Sequence, residues 1–128
     1  MKLIKILIVD DSLIIRKSFT QLLNKMSDVS VVGECSDGVE VLPFVQVNQV
    51  DVIFMDICMK FVDGFEASKE VKNYNSNIKV IGFTSLDDYF TKERMKQSEF
   101  DGFLSKYDVS KPMIMSEIQR VMNLNRMN

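Results

Sequence analysis

The sequence has no histidine and only two cysteines, Cys35 and Cys58, which lack metal-ligand spacing. Without imidazole or a paired thiolate motif, the usual zinc ligand sets are excluded. Charge of one sign is also scarce. Sixteen basic and eighteen acidic side chains leave a formal net charge of −2, which makes no electrostatic case for binding nucleic acid or an anionic membrane. No long apolar run is present. The stretch 6–9 is cut by Asp10 and Asp11, too short for a membrane span or a signal-peptide core. Linkers, low-complexity tracts and internal repeats are absent as well. A reducing cytoplasm is the expected setting, with both cysteines reduced and packed.

What the chain does have is alternation. Its 128 residues, 46% apolar, are enough for a single domain, residues 1–128, with a core. Short β-branched runs at 3–9, 29–35, 50–55, 79–84 and 102–104 read as strands buried on both faces, the habit of parallel sheets. Helical segments lie between them. The first is capped by Asp11 or Ser12 and carries Leu13, Ile14, Phe19, Leu22 and Leu23 at helical spacing. A second, at 39–47, is weakened by Pro43, which lacks a backbone donor. The others span 64–73, 88–97 and 112–124, the last opening on Pro112 and presenting Met115, Ile118, Val121 and Met122 to the core. Five βα units predict an α/β fold: a doubly wound five-stranded parallel sheet with helices on both faces. Ligands of such sheets bind beyond the carboxyl ends of the strands.

Those ends carry Asp10-Asp11, Asp56, Thr84-Ser85 and Lys106. Taken singly, each has an ordinary explanation as a helix cap, a turn or solvated surface. Converging on one rim, three carboxylates would repel one another unless a cation joined them. A hard divalent ion with oxygen ligands, Mg²⁺ above all, suits that set. A carboxylate beside Mg²⁺ can attack phosphorus, while a lysine and hydroxyls receive the phosphoryl oxygens.

Five motifs, in order along nearly the whole chain, then resemble bacterial response-regulator receiver domains. They are Ile6-Leu7-Ile8-Val9-Asp10-Asp11-Ser12, Val31-Val32-Gly33-Glu34-Cys35-Ser36-Asp37-Gly38, the segment from Asp51 to Asp56 with Met59 and Asp63-Gly64, Gly82-Phe83-Thr84-Ser85, and Gly102-Phe103-Leu104-Ser105-Lys106. The resemblance implies the flavodoxin-like strand order 2-1-3-4-5. It makes Asp56 the phosphoacceptor, with Asp10, Asp11, Asp56 and the Cys58 backbone carbonyl around Mg²⁺. Thr84, Ser85 and Lys106 would contact the phosphoryl group, and Phe103 would be the aromatic switch. Cys58 and Leu86 would flank the path of hydrolytic water and tune the lifetime of the phosphorylated state. The implied partners are a histidine kinase or histidine phosphotransfer protein, and a downstream protein target or an effector domain outside this chain. A phosphorylation-dependent dimer is a further expectation; nucleic acid and membrane are not expected partners. The domain would catalyse only its own phosphorylation and slow dephosphorylation.

Three departures from the family pattern bear on partner surface and switching: Lys60 and Tyr107 where proline is common, and Glu99-Phe100 before the last strand. The isomer of the Lys106–Tyr107 bond stays open. Competing readings are an aspartyl-phosphate phosphohydrolase, a phosphorylation-independent interaction module and a flavin carrier. The first wants an acid two residues past the nucleophile, where Cys58 stands. The second would be favoured by loss of an acid or of Lys106, and all are present. The third lacks a Ser/Thr/Gly-rich loop after the first strand.

Overall fold

A computed structural model describes residues 2–85, 88–107 and 109–123. Five parallel strands, β1 (Ile4–Val9), β2 (Val29–Cys35), β3 (Val52–Met55), β4 (Lys79–Thr84) and β5 (Gly102–Ser105), form one sheet in the order 2-1-3-4-5. The connecting helices are α1 (Leu13–Asn24), α2 (Val41–Val47), α3 (Gly64–Tyr74), α4 (Tyr89–Lys96) and α5 (Lys111–Met122), with a 3₁₀ turn at Gly38–Glu40 leading into α2. The expected architecture and strand order are therefore both present.

Alternation along the strands sends successive side chains to opposite faces. Ile6, Ile8, Phe54, Ile81 and Leu104 join Phe19 and Leu23 of α1 and Ile114, Ile118 and Val121 of α5 in one core. Leu7, Val9, Ile53, Met55 and Val80 join Val41 and Val45 of α2 and Ala67 and Val71 of α3 in the other. Three rings bind the first core together: Phe19 stacks on Phe83 at 4.6 Å and meets Phe54 edge-on at 4.9 Å, geometries that add to simple burial. α4 is less well anchored. Met95 is its one buried side chain, and it occupies the space where a Cβ on Gly82 would sit.

Several expectations need correction. Leu13 and Ile14 do not enter the core; they are 57% and 77% exposed, because the helical period puts them on the side of α1 away from the buried Phe19 and Leu23. Ile114, which the expected face of α5 omitted, is fully buried. β3 begins at Val52 rather than at residue 50, although the Asp51 N–H still donates to the Lys5 carbonyl at 2.8 Å and its carboxylate accepts the Lys5 N–H at 2.8 Å. Pro43 is tolerated because it falls in the first turn of α2, where backbone donors have no intrahelical partner. Phe100 finds a pocket against the second core and meets Phe65 edge-on at 5.4 Å. Cys35 is buried as expected, but Cys58 is exposed. Leu124 lies outside the described residues.

The outer edge of β5 is closed by side chains of α5. Glu117 accepts the Phe103 N–H at 2.9 Å, and Arg120 donates to the Asp101 carbonyl at 2.9 Å. An edge occupied in this way is a poor template for strand addition.

Candidate functional site

Register builds the site. Val9 pairs with Met55 in the β1–β3 ladder, so the next residue of each strand, Asp10 and Asp56, emerge side by side. The Asp56 N–H donates to the Val9 carbonyl at 2.8 Å and the Asp10 N–H to the Cys35 carbonyl at 3.0 Å, so both backbones are fixed. Arg16, from α1, donates to the Asp10 carbonyl at 2.7 Å while pairing with Glu34 at 3.1 Å. Gly64 permits the close return of the β3–α3 loop, because a Cβ there would strike the Asp56 carbonyl oxygen.

Asp10, Asp11 and Asp56 each bring a carboxylate oxygen within 4.8 Å of the other two. Asp10 and Asp56 are buried, and Asp11 faces solvent. Among the described residues this is the one acidic group of its kind. Lys106 reaches in from beyond β5, its Nζ 2.6 Å from Asp10 Oδ2 and 3.5 Å from Asp56 Oδ1. The same ammonium lies 5.5 Å from the Phe83 ring centroid. Asp10 Oδ1 accepts the Ser12 N–H at 2.9 Å. Asp10 Oδ2, fully buried, has no directed donor among the described residues; its contact with Lys106 is an ion pair off the hydrogen-bond axis.

The electrostatics follow from this crowding. Burial, and then the neighbouring Asp10, push the Asp56 carboxyl up from 3.8 to about 6, against the pull of Lys106. Burial and the Asp56 charge also raise the Cys58 thiol. Three carboxylates crowded within 4.8 Å of one another, two of them buried, with one lysine to balance them, are a donor set suited to a hard divalent cation.

The remaining expected residues are distributed around this centre. Thr84 is buried at the end of β4, its carbonyl accepting the Lys106 N–H at 2.8 Å, and Ser85 is exposed just beyond. Cys58 donates its backbone N–H to Asp56 Oδ1 at 3.4 Å. Phe103 is 39% exposed on β5. The Lys106–Tyr107 bond is trans. Leu86 lies outside the described residues. Sequence reasoning missed Asp37, whose buried carboxylate accepts the backbone N–H groups of Phe61, Val62 and Val39. Its one sequence signal was the Asp-Gly pair after the second strand.

Comparison with known proteins gives the same picture. The family model described as the response regulator receiver domain matches residues 6–119. The chain belongs to this family. As a receiver domain it resembles the response regulator UvrY of Escherichia coli, at 30% identity over 81% of the chain and 48% of the relative. It also resembles the response regulator protein VraR of Staphylococcus saprophyticus, at 35% identity over 80% of the chain and 49% of the relative. The chain thus spans about half the length of these curated relatives. Among solved structures, the response regulator domain of Thermotoga maritima CheB superposes with a TM-score of 0.82 at 28% identity, covering 95% of this chain and 98% of that one. Receiver domains are signalling modules of two-component systems, and this kinship argues against the phosphohydrolase and flavin-carrier readings. No described helix is long and apolar enough to cross a membrane.

Proposed function

We propose that this receiver domain accepts a phosphoryl group on Asp56 from a histidine kinase or histidine phosphotransfer protein. The observation that carries the proposal is the cluster itself: three carboxylates within 4.8 Å of one another, one holding a buried oxygen without a directed donor, and a lysine across two of them.

Asp10, Asp11, Asp56 and the Cys58 backbone carbonyl would hold Mg²⁺. When bound, the ion lowers the repulsion among the acids and stabilises charge on the phosphoryl oxygens. With its pKa near 6, Asp56 is mostly ionised at neutral pH. Its oxygen attacks the phosphorus of phosphohistidine; the new O–P bond forms as the P–N bond breaks, and the bonding pair leaves on the imidazole nitrogen. Lys106 gives its charge to the phosphoryl oxygens, and the hydroxyls of Thr84 and Ser85 donate to them. These are positioning and electrostatic contributions, as in other phosphoryl transfers.

The output is a population shift between two packings. Phe103, 39% exposed on β5, borders an open depression of about 260 Å³ lined by Met95, Phe100 and Arg120 among others, and in this reading its ring turns inward when Asp56 is phosphorylated. Downstream, the surface that changes would engage a protein target, an effector domain or a second copy of the domain, all in the cytoplasm.

Incubation with acetyl phosphate and Mg²⁺ tests the reading. One phosphoryl group should be added, detected by intact mass, and both Asp56→Asn and a chelator should abolish it. Labelling that persists in Asp56→Asn would overturn the assignment.

A further inference from the structure

Asp37 lies away from the acid cluster, yet it is only 6% exposed. Its Oδ2 accepts the Phe61 N–H at 2.9 Å; its Oδ1 accepts those of Val62 at 3.0 Å and Val39 at 3.1 Å. The next residue completes the seam. The Gly38 N–H donates to the Val62 carbonyl at 3.2 Å, and a Cβ on Gly38 would run into that same oxygen. Burial pushes the Asp37 carboxyl up, but the N–H groups of Phe61, Val39 and Val62 outweigh it and hold the group below its ordinary range.

The loop gripped in this way runs from Asp56 to Asp63, and it carries Cys58. At its start the Cys58 N–H donates to Asp56 Oδ1 at 3.4 Å and the Gly64 N–H to the Ile57 carbonyl at 3.1 Å. These ties and the Asp37 grip bracket Cys58, Met59 and Lys60, of which Cys58 and Lys60 are exposed.

We infer that Asp37 is a positioning residue for the phosphorylation site: by clamping the loop at Phe61 and Val62, it sets where the Cys58 backbone carbonyl stands relative to Asp56. This rests on the proposed function, in which that carbonyl is a metal ligand. Groups that orient a ligand from behind typically change metal affinity 10- to 100-fold when removed.

The experiment measures the Mg²⁺ midpoint twice, by calorimetric titration without phosphodonor and by the acetyl phosphate labelling rate. It compares wild type with Asp37→Ala, Asp37→Asn, Gly38→Ala and Val121→Ala. Asp37→Ala should raise the midpoint about 10-fold in both assays, and the Asn variant, which keeps one acceptor oxygen, should fall between it and wild type. Gly38→Ala should act like Asp37→Ala, because it displaces Val62 while leaving the carboxylate intact. Val121→Ala opens a space in the opposite core and serves as the destabilised control. It should lose thermal stability and keep the wild-type midpoint. Should Asp37→Ala not fold, the Asn and Gly38 variants carry the test. Wild-type midpoints in the Asp37 and Gly38 variants would overturn the inference, and so would an equal loss in Val121→Ala. A wild type that binds Mg²⁺ but is not labelled would instead overturn the phosphoacceptor reading, leaving the titration to judge Asp37.

Discussion

Replacing Asp56 by asparagine should stabilise the metal-free protein at neutral pH, although it removes the centre of the site. Asp56 is 5% exposed, and its carboxyl is raised from 3.8 to about 6 by burial and by Asp10. A carboxyl raised by folding binds its proton more tightly in the native state. Its contribution is therefore fully present below pH 3.8, is lost as pH rises toward 6, and stays lost above that. The interval corresponds to about 3 kcal/mol at most. Asp11 opens one side of the cluster to water, and screening there reduces the expected effect to about 1–2 kcal/mol.

Asparagine keeps an acceptor for the Cys58 N–H and gives up only the longer of the two Lys106 contacts, at 3.5 Å. Urea denaturation in chelator at pH 7.5 and pH 4 measures the balance. Asp56→Asn should be the more stable protein at pH 7.5, and the advantage should shrink to near zero at pH 4. Equal stability at pH 7.5, or an advantage that does not depend on pH, would refute the reasoning.

Lys106→Met should cost about 3–5 kcal/mol in chelator, because it leaves the fully buried Asp10 carboxylate without a counter-charge. Mg²⁺ should restore part of the loss, and thermal melts with and without the ion check both halves. Met95→Ala should cost about 2–5 kcal/mol by emptying the space over Gly82, with hydrogen-exchange protection lost first in α4; loss spread evenly over the domain would contradict the weak anchoring of that helix. The lifetime of the phosphorylated state should be long. The exposed Cys58 side chain offers no carboxylate or amide to orient water, so Cys58→Asn combined with Leu86→Glu should speed loss of the phosphoryl group; decay as fast in wild type as in the double variant would dispose of the idea.

The sheet was legible because buried parallel strands leave a local mark, an unbroken β-branched run, and the order of runs and helices then admits few topologies. Leu13 and Ile14 show where a loose count fails. At about 100° per residue, they fall on the side of α1 away from Phe19 and Leu23. A strict count of the period places both in water, where they stand. Pro43 misled in the opposite sense, since its cost depends on which turn of the helix receives it.

The site divides along a similar line. Asp10, Asp56, Thr84 and Lys106 stand at or just past the ends of strands, and register alone carries them together, so their meeting could be read from the sequence. Asp37 could not. Its partners Phe61 and Val62 lie 24 and 25 residues away in a loop without periodicity, and they offer it only backbone N–H groups, which every residue but proline possesses. A contact between one side chain and a generic backbone leaves no covarying chemistry in a single sequence. The same reasoning separates the two lysines of the site. Lys106 was legible because it ends a strand, whereas Lys60, in the loop that Asp37 holds, sits exposed with its Nζ 5.3 Å from the Phe61 ring centroid. A cation in that position is screened and worth little to the acid cluster. Lys60→Gln should therefore leave the Mg²⁺ midpoint within about twofold of wild type in the same calorimetric titration; a larger change would mean that the ammonium reaches the site.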